Sequence, residues 1–137
     1  MRHTRLKEHI QHESGEWKTV CVTACLTALG VPVDSFHYTG KVLDNRREAI
    51  LRRHGYAVRS RMSKLPKNPT IGKTRDAIKK MDDPKGTKYM VVVQGNGYCH
   101  AMLLDANGKT VVDTDPRKRD KRKVVSIKAV YRNGSGV

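Results

Sequence analysis

Cysteine is scarce in this chain: three in 137 residues, at positions 21, 25 and 99. An odd count without framework spacing excludes a disulfide-stapled scaffold and reads as reduced thiols in a cytoplasmic setting. Aromatic residues make up only 5% of the chain, with a single tryptophan, Trp17. The basic stretches contain hardly any of them, which argues against base stacking there. No apolar run approaches bilayer length, so no membrane span is expected. The segment Met1-Arg2-His3-Thr4-Arg5-Leu6-Lys7-Glu8 lacks the apolar core of a secretory leader. Acidic residues are also few, 13 against 28 Lys and Arg, giving a formal net charge of +15. Such a balance favours polyanionic partners, nucleic acid first among them, but carries no information about fold. There is no internal repeat and no motif that calls for a cofactor.

Two short stretches stand out. Val20-Cys21-Val22-Thr23-Ala24-Cys25-Leu26-Thr27-Ala28-Leu29 reads as a cysteine opening an apolar helix, with Thr19 as a candidate N-cap and Gly30 as its terminator. Val22, Cys25, Leu26 and Leu29 follow the spacing of one buried stripe, so Cys25 is read as a core thiol. Cys21 falls one turn earlier, where the positive end of the helix dipole favours a thiolate. The second stretch, Gly97-Tyr98-Cys99-His100-Ala101-Met102-Leu103-Leu104, reads as a histidine opening an apolar strand. A histidine beside a helix-terminal thiol is the minimal machinery of a cysteine nucleophile.

The remaining pattern is α+β within one domain spanning 1–137. A polar arm over 1–16 precedes the cysteine helix. A second helix is expected over Lys41 to His54, with Val42, Leu43, Ala49, Ile50 and Leu51 inward and Arg46, Arg47, Arg52 and Arg53 outward. A strand follows over Tyr56 to Met62, and a third helix over Lys73 to Met81 with Ala77, Ile78 and Met81 inward. Four strands then make an antiparallel sheet: Lys88 to Gln94, His100 to Asp105, Thr110 to Thr114, and Val124 to Tyr131. The last alternates Val125, Ile127, Ala129 and Tyr131 toward the core. Residues 132–137 form a frayed tail.

Asn107-Gly108 carries the signal of a two-residue hairpin turn. Pairing outward from Ala106 and Lys109 sets His100 opposite Asp115 and Met102 opposite Asp113. His100, Asp113 and Asp115 then share one face. Directly opposed residues have Cβ atoms about 4.5–5.5 Å apart and diagonal ones about 7–8 Å, so either carboxylate can reach the imidazole. A carboxylate on one ring nitrogen orients the ring and stabilises its cation. A Cys–His–Asp triad follows, provided that the start of the cysteine helix docks on this face.

At this point the chain resembles the papain-like cysteine peptidase superfamily, from roughly Trp17 to Tyr131. It is most similar to the compact peptidase domains of bacteriocin exporters and to small papain-like phage proteins. Cys21-Val22-Thr23-Ala24-Cys25-Leu26 resembles the nucleophile helix. His100-Ala101-Met102-Leu103-Leu104 resembles the strand of the catalytic histidine, and Val111-Val112-Asp113-Thr114-Asp115-Pro116 the strand end that supplies the third member. The resemblance implies N-terminal helices packed on a C-terminal antiparallel sheet, with Cys21, His100 and either Asp113 or Asp115 as catalytic residues. Asp113-Thr114 matches one family pattern and Asp115-Pro116 another. Where the family commonly carries an upstream glutamine, this chain has Gly15, and Val22 follows the cysteine where glycine is frequent. The oxyanion donors would then come from the Cys21 backbone and from Trp17, Lys18 or Thr19.

The expected activity is that of a cysteine peptidase, hydrolase or acyltransferase acting on a peptide or isopeptide bond. No cofactor or metal is required, and a phage-type protein of this kind would work in the host cytoplasm. The alternative is a basic nucleic-acid-binding protein on a catalytically weak scaffold, using Arg117, Lys118, Arg119, Lys121, Arg122 and Lys123. A zinc site from Cys21, Cys25, Cys99 and His100 lacks a second pair of C-x-x-C type.

Overall fold

A computed structural model of the chain describes residues 24–31, 44–94, 99–113 and 120–133, with 44–47 and 99 described in backbone only. Among these residues the protein is α+β. Helix α1 covers 24–28. Then come α2 (Asp44–Arg53), β1 (Tyr56–Ser60), a 3-10 turn (Met62–Lys64), α3 (Ile71–Ile78), β2 (Lys88–Gln94), β3 (Cys99–Leu104), β4 (Thr110–Val112) and β5 (Val124–Arg132). The strands form a five-stranded sheet in the order β1-β5-β2-β3-β4, every neighbour antiparallel.

Strand alternation sorts the apolar residues into two cores, one on each side of the sheet. On one side Met90, Val92, Ala101, Leu103, Val112 and Val130 pack with Ala24, Cys25, Leu26 and Leu29 of the first helical segment and with Ile50 and Leu51 of α2. On the other side Tyr89, Val91, Met102, Leu104, Ile127 and Ala129 pack with Ile71 and Ile78 of α3. β2 is buried on both sides, which is why Tyr89-Met90-Val91-Val92-Val93 reads as a continuous apolar run. Polar ties fasten the layers. The Tyr56 hydroxyl donates to the Leu29 carbonyl, Lys128 of β5 pairs with Glu48 of α2, and the Arg132 guanidinium lies 4.6 Å from the centre of the Tyr56 ring. Under α3, the buried Asp83 carboxylate accepts from Tyr89 Oη at 2.6 Å and pairs with Arg61.

Several expectations shift in detail. Cys25 is fully buried, and Gly30 closes its helix at φ 92°. Ala49 is exposed, so the inward face of α2 narrows to Ile50 and Leu51 in the described residues. α3 covers Ile71–Ile78 rather than Lys73 to Met81, with Thr70 as its cap, the Thr70 Oγ1 accepting from Lys73 N at 3.3 Å. β1 stops at Ser60, and Met62 turns out into a 3-10 turn at 36% exposure. Val125 is exposed rather than inward. β2 and β5 slip by one residue between Val92 and Val93, so that Val93 pairs with Val124 and Val125 becomes the unpaired extra residue of a bulge.

The β3–β4 hairpin is also built differently. Asp105 N donates to Lys109 O at 2.8 Å, and Gly108 N donates to Asp105 O at 2.9 Å, so the loop holds three residues rather than two. Gly108 takes a left-handed conformation at φ 77°, while Asn107 does not. The Asp105 carboxylate accepts from Asn107 N at 2.8 Å and Lys109 N at 3.0 Å, which favours this turn over the expected one. A second irregularity, between Leu103 and Leu104, then restores the expected register at Leu103–Val112. Two offsets cancel, and Asp113 still follows directly after the strand that faces β3.

Candidate active site

His100 is the second residue of β3, opposite Val93 of β2. Asp113 directly follows β4. The His100 Nε2 and Asp113 Oδ1 are 2.8 Å apart, and their side chains are 11% and 2% exposed. This is the diagonal pair of the hairpin, closed by the reach of the two side chains. The other carboxylate oxygen is also held: Arg122 Nη2 donates to Asp113 Oδ2 at 3.0 Å. Asp113 is therefore a buried anion with a donor on each oxygen, the condition under which a carboxylate stays charged away from water. An ionised Asp113 accepts only, so the hydrogen-bond network assigns the proton on this side of the ring to Nε2.

Arg122, one of the candidate nucleic-acid-binding residues, has a side chain that is 13% exposed and a guanidinium engaged with Asp113. Its neighbours Lys121 and Lys123 are exposed. Sequence reading misses the Arg122–Asp113 pair because nothing local marks it. The one available signal is the rule that a buried carboxylate needs a counter-charge, and six basic residues in the stretch 117–123 compete for the role without an aid to choose among them.

Arg117, Lys118, Arg119, Asp115, Trp17, Lys18, Thr19 and Cys21 lie outside the described residues, and so does the Cys99 side chain. The helical segment that follows Cys21 is described, and its position bears on the expected triad. His100 shares its strand face with Met102 and Leu104, on the α3 side, whereas Cys25 packs with Ala101 and Leu103 on the opposite side. The body of the cysteine helix thus does not lie on the face that carries the histidine. Its C-terminal end is fixed by Tyr56, which pairs with Arg132. That is the end of the sheet remote from His100, since His100 neighbours Val93 and Val93 neighbours Val124 at the start of β5.

A cleft of about 780 Å³ opens on the α3 side, with Lys64, Lys73 and Lys80 on its walls together with Asp76 and Asp82. Thr70 forms a bridge with Lys123 at the start of α3, which sets the exposed Lys121 and Lys123 beside that helix. Arg52 donates to the Val58 carbonyl at 3.0 Å, so this arginine of the expected α2 basic face also has a structural duty. Among the described residues, no three His, Cys, Asp or Glu side chains gather as metal ligands, and no helix is long and apolar enough to cross a membrane. Comparison with protein-family models, curated proteins and solved structures gives no match.

Proposed function

We propose that this protein is a cysteine hydrolase or acyl-transfer enzyme of papain-like plan, acting on a peptide or isopeptide bond. The observation that carries the reading is the buried His100–Asp113 pair, with Nε2 committed to the carboxylate. An imidazole held in this way is oriented for acid–base work through Nδ1. In the proposed reaction Cys21 Sγ attacks the carbonyl carbon, and its proton resides on His100 Nδ1. The tetrahedral intermediate collapses as His100 returns the proton to the leaving amine. Water, or an acceptor amine, then attacks the thioester, giving its proton to His100, and Cys21 leaves as the thiol once that proton is returned. Asp113 stays ionised throughout and supports the imidazolium.

The test is alkylation by iodoacetamide across pH, read at each cysteine by peptide mass mapping, in the native chain and in His100→Ala. At mildly acidic pH Cys21 should react about tenfold faster than Cys25 or Cys99, because a persistent thiolate outweighs its lower intrinsic nucleophilicity. His100→Ala should abolish the difference. Three cysteines that react alike, or a Cys21 indifferent to His100, would end this reading.

A second reading, binding of nucleic acid by phosphate contacts, is favoured by the exposed lysines around the α3 cleft together with the net charge of +15.

A further inference from the structure

Arg122 sits in a run of basic residues, yet the backbone around it is tied down on several sides. Ile71 N donates to Arg122 O at 3.0 Å and Gly72 N to Asp120 O at 3.0 Å, which attaches the segment to the start of α3. Gln94 N donates to Lys123 O at 2.9 Å and Val124 N to Pro69 O at 2.9 Å, which attaches it to the end of β2 and to the loop before α3. Three parts of the fold thus hold the residue whose guanidinium meets Asp113.

We propose that Arg122 is a positioning residue of the site: it holds the Asp113 carboxylate in the rotation that presents Oδ1 to His100 Nε2, and so selects the imidazole tautomer protonated at Nε2. The proposal rests on the reading of His100 as the acid–base group. Rotation of an aspartate about its terminal torsion is soft, so a carboxylate at the end of a short strand needs an external hold. Arginine suits the task better than lysine. Its planar fork fixes direction as well as charge, and a guanidinium is more weakly hydrated than an ammonium and so tolerates burial. Asp113 is 2% exposed and Arg122 13%, so the pair works where water does not compete strongly. Arg122 acts on the reaction through Asp113 and His100.

The experiment reads the tautomer directly. Long-range proton–nitrogen correlation spectra of the His100 ring are recorded in full-length Cys21→Ser protein, above the pH at which the imidazole titrates. The serine background removes any thiolate partner, so the result does not depend on the role of Cys21. The expected pattern is a single tautomer protonated at Nε2. Adding Arg122→Gln should give a mixture of tautomers while the amide fingerprint elsewhere is kept. Arg122→Lys should retain a majority of the Nε2–H form. In the chain with Cys21 intact, Arg122→Gln should slow Cys21 alkylation at mildly acidic pH about tenfold, and Arg122→Lys less, since a small misplacement of a catalytic group is costly. An unchanged tautomer in Arg122→Gln overturns the proposal. If the glutamine variant does not fold, a lysine variant equal to the native chain in both tautomer and alkylation overturns it as well. A tautomer that shifts as expected, in a chain whose Cys21 behaves as an ordinary thiol, upholds the role of Arg122 and removes the thiol chemistry instead.

Discussion

The three-residue turn of the β3–β4 hairpin touches α3, and that contact makes a sharp prediction. A methyl group added at Gly108 would lie 2.6 Å from the Arg75 carbonyl oxygen and 3.2 Å from its carbon, both backbone atoms that cannot swing away. Gly108 also has φ 77°, a conformation that costs a residue with a side chain about 1–2 kcal/mol. Gly86 offers the control. It has φ 85°, but nothing lies within 4 Å of its would-be methyl group. Gly86→Ala should therefore cost about 1 kcal/mol, the conformational strain less a small gain from a stiffer unfolded chain. Gly108→Ala carries the same strain and must in addition push the turn away from α3. That movement loosens the bond from Arg75 Nη1 to Gly108 O (2.8 Å) and the bond from Arg75 Nη2 to Thr110 Oγ1 (2.9 Å). At about 1 kcal/mol for each bond, the total reaches about 3 kcal/mol. Urea unfolding of both variants gives the comparison. With a slope of about 1.5 kcal/mol/M the two midpoints should differ by more than about 1 M, the slope itself unchanged. Equal midpoints for the two alanine variants would show that α3 and the turn do not approach closely, and the account of how Asp113 is carried to His100 would lose its anchor.

Binding of a short DNA duplex, followed by fluorescence anisotropy, should weaken with salt by about 0.9 log units per log unit of salt for every phosphate contacted. Charge reversal at Lys64, Lys73 and Lys80 should reduce that slope if the α3 cleft is the contact surface, and a flat salt response would remove phosphate contacts altogether. Tyr89 gives a prediction in pH. Burial, then the hydrogen bond to Asp83, raises its phenol well above the ordinary value. The unfolded chain thus loses this proton first, near pH ~10, so the stabilisation is intact below that pH and is lost as pH rises beyond it. Tyr89→Phe should flatten the alkaline fall of the urea midpoint, and a fall of the same steepness in the variant would refute the assignment.

What could be read from the sequence follows from which forces are local. The stripe of Cys25, Leu26 and Leu29 and the glycine that ends it are set within one helix, and all of them stand where the spacing places them. β2 declares itself because a strand covered on both faces must be apolar throughout. The turn was misread since Asn-Gly signals a two-residue turn only if nothing competes, and here the Asp105 carboxylate binds the loop amides. The register nonetheless came out as expected at Leu103 and Val112, because a slip there would turn the whole apolar set of β3 the wrong way. Val125 was misassigned for the same kind of reason as the turn: a bulge is a two-strand feature, and the alternation within one strand does not reveal it. The Arg122 contact joins β5's approach segment to the end of β4 across the sheet, and no single stretch of sequence encodes it.

The opposite faces of His100 and Cys25 constrain the proposed chemistry more tightly than the expected geometry did. Strand alternation is strict in the middle of β3, where Ala101 and Leu103 meet the cysteine helix and Met102 and Leu104 meet α3. A thiol partway along the helix could never reach a histidine partway along the strand, since the sheet itself would stand between them. Only at the start of β3 does the barrier end, and His100 is the second residue of that strand. The proposed chemistry therefore cannot use the buried Cys25 as nucleophile, which leaves it Cys21, earlier in the chain.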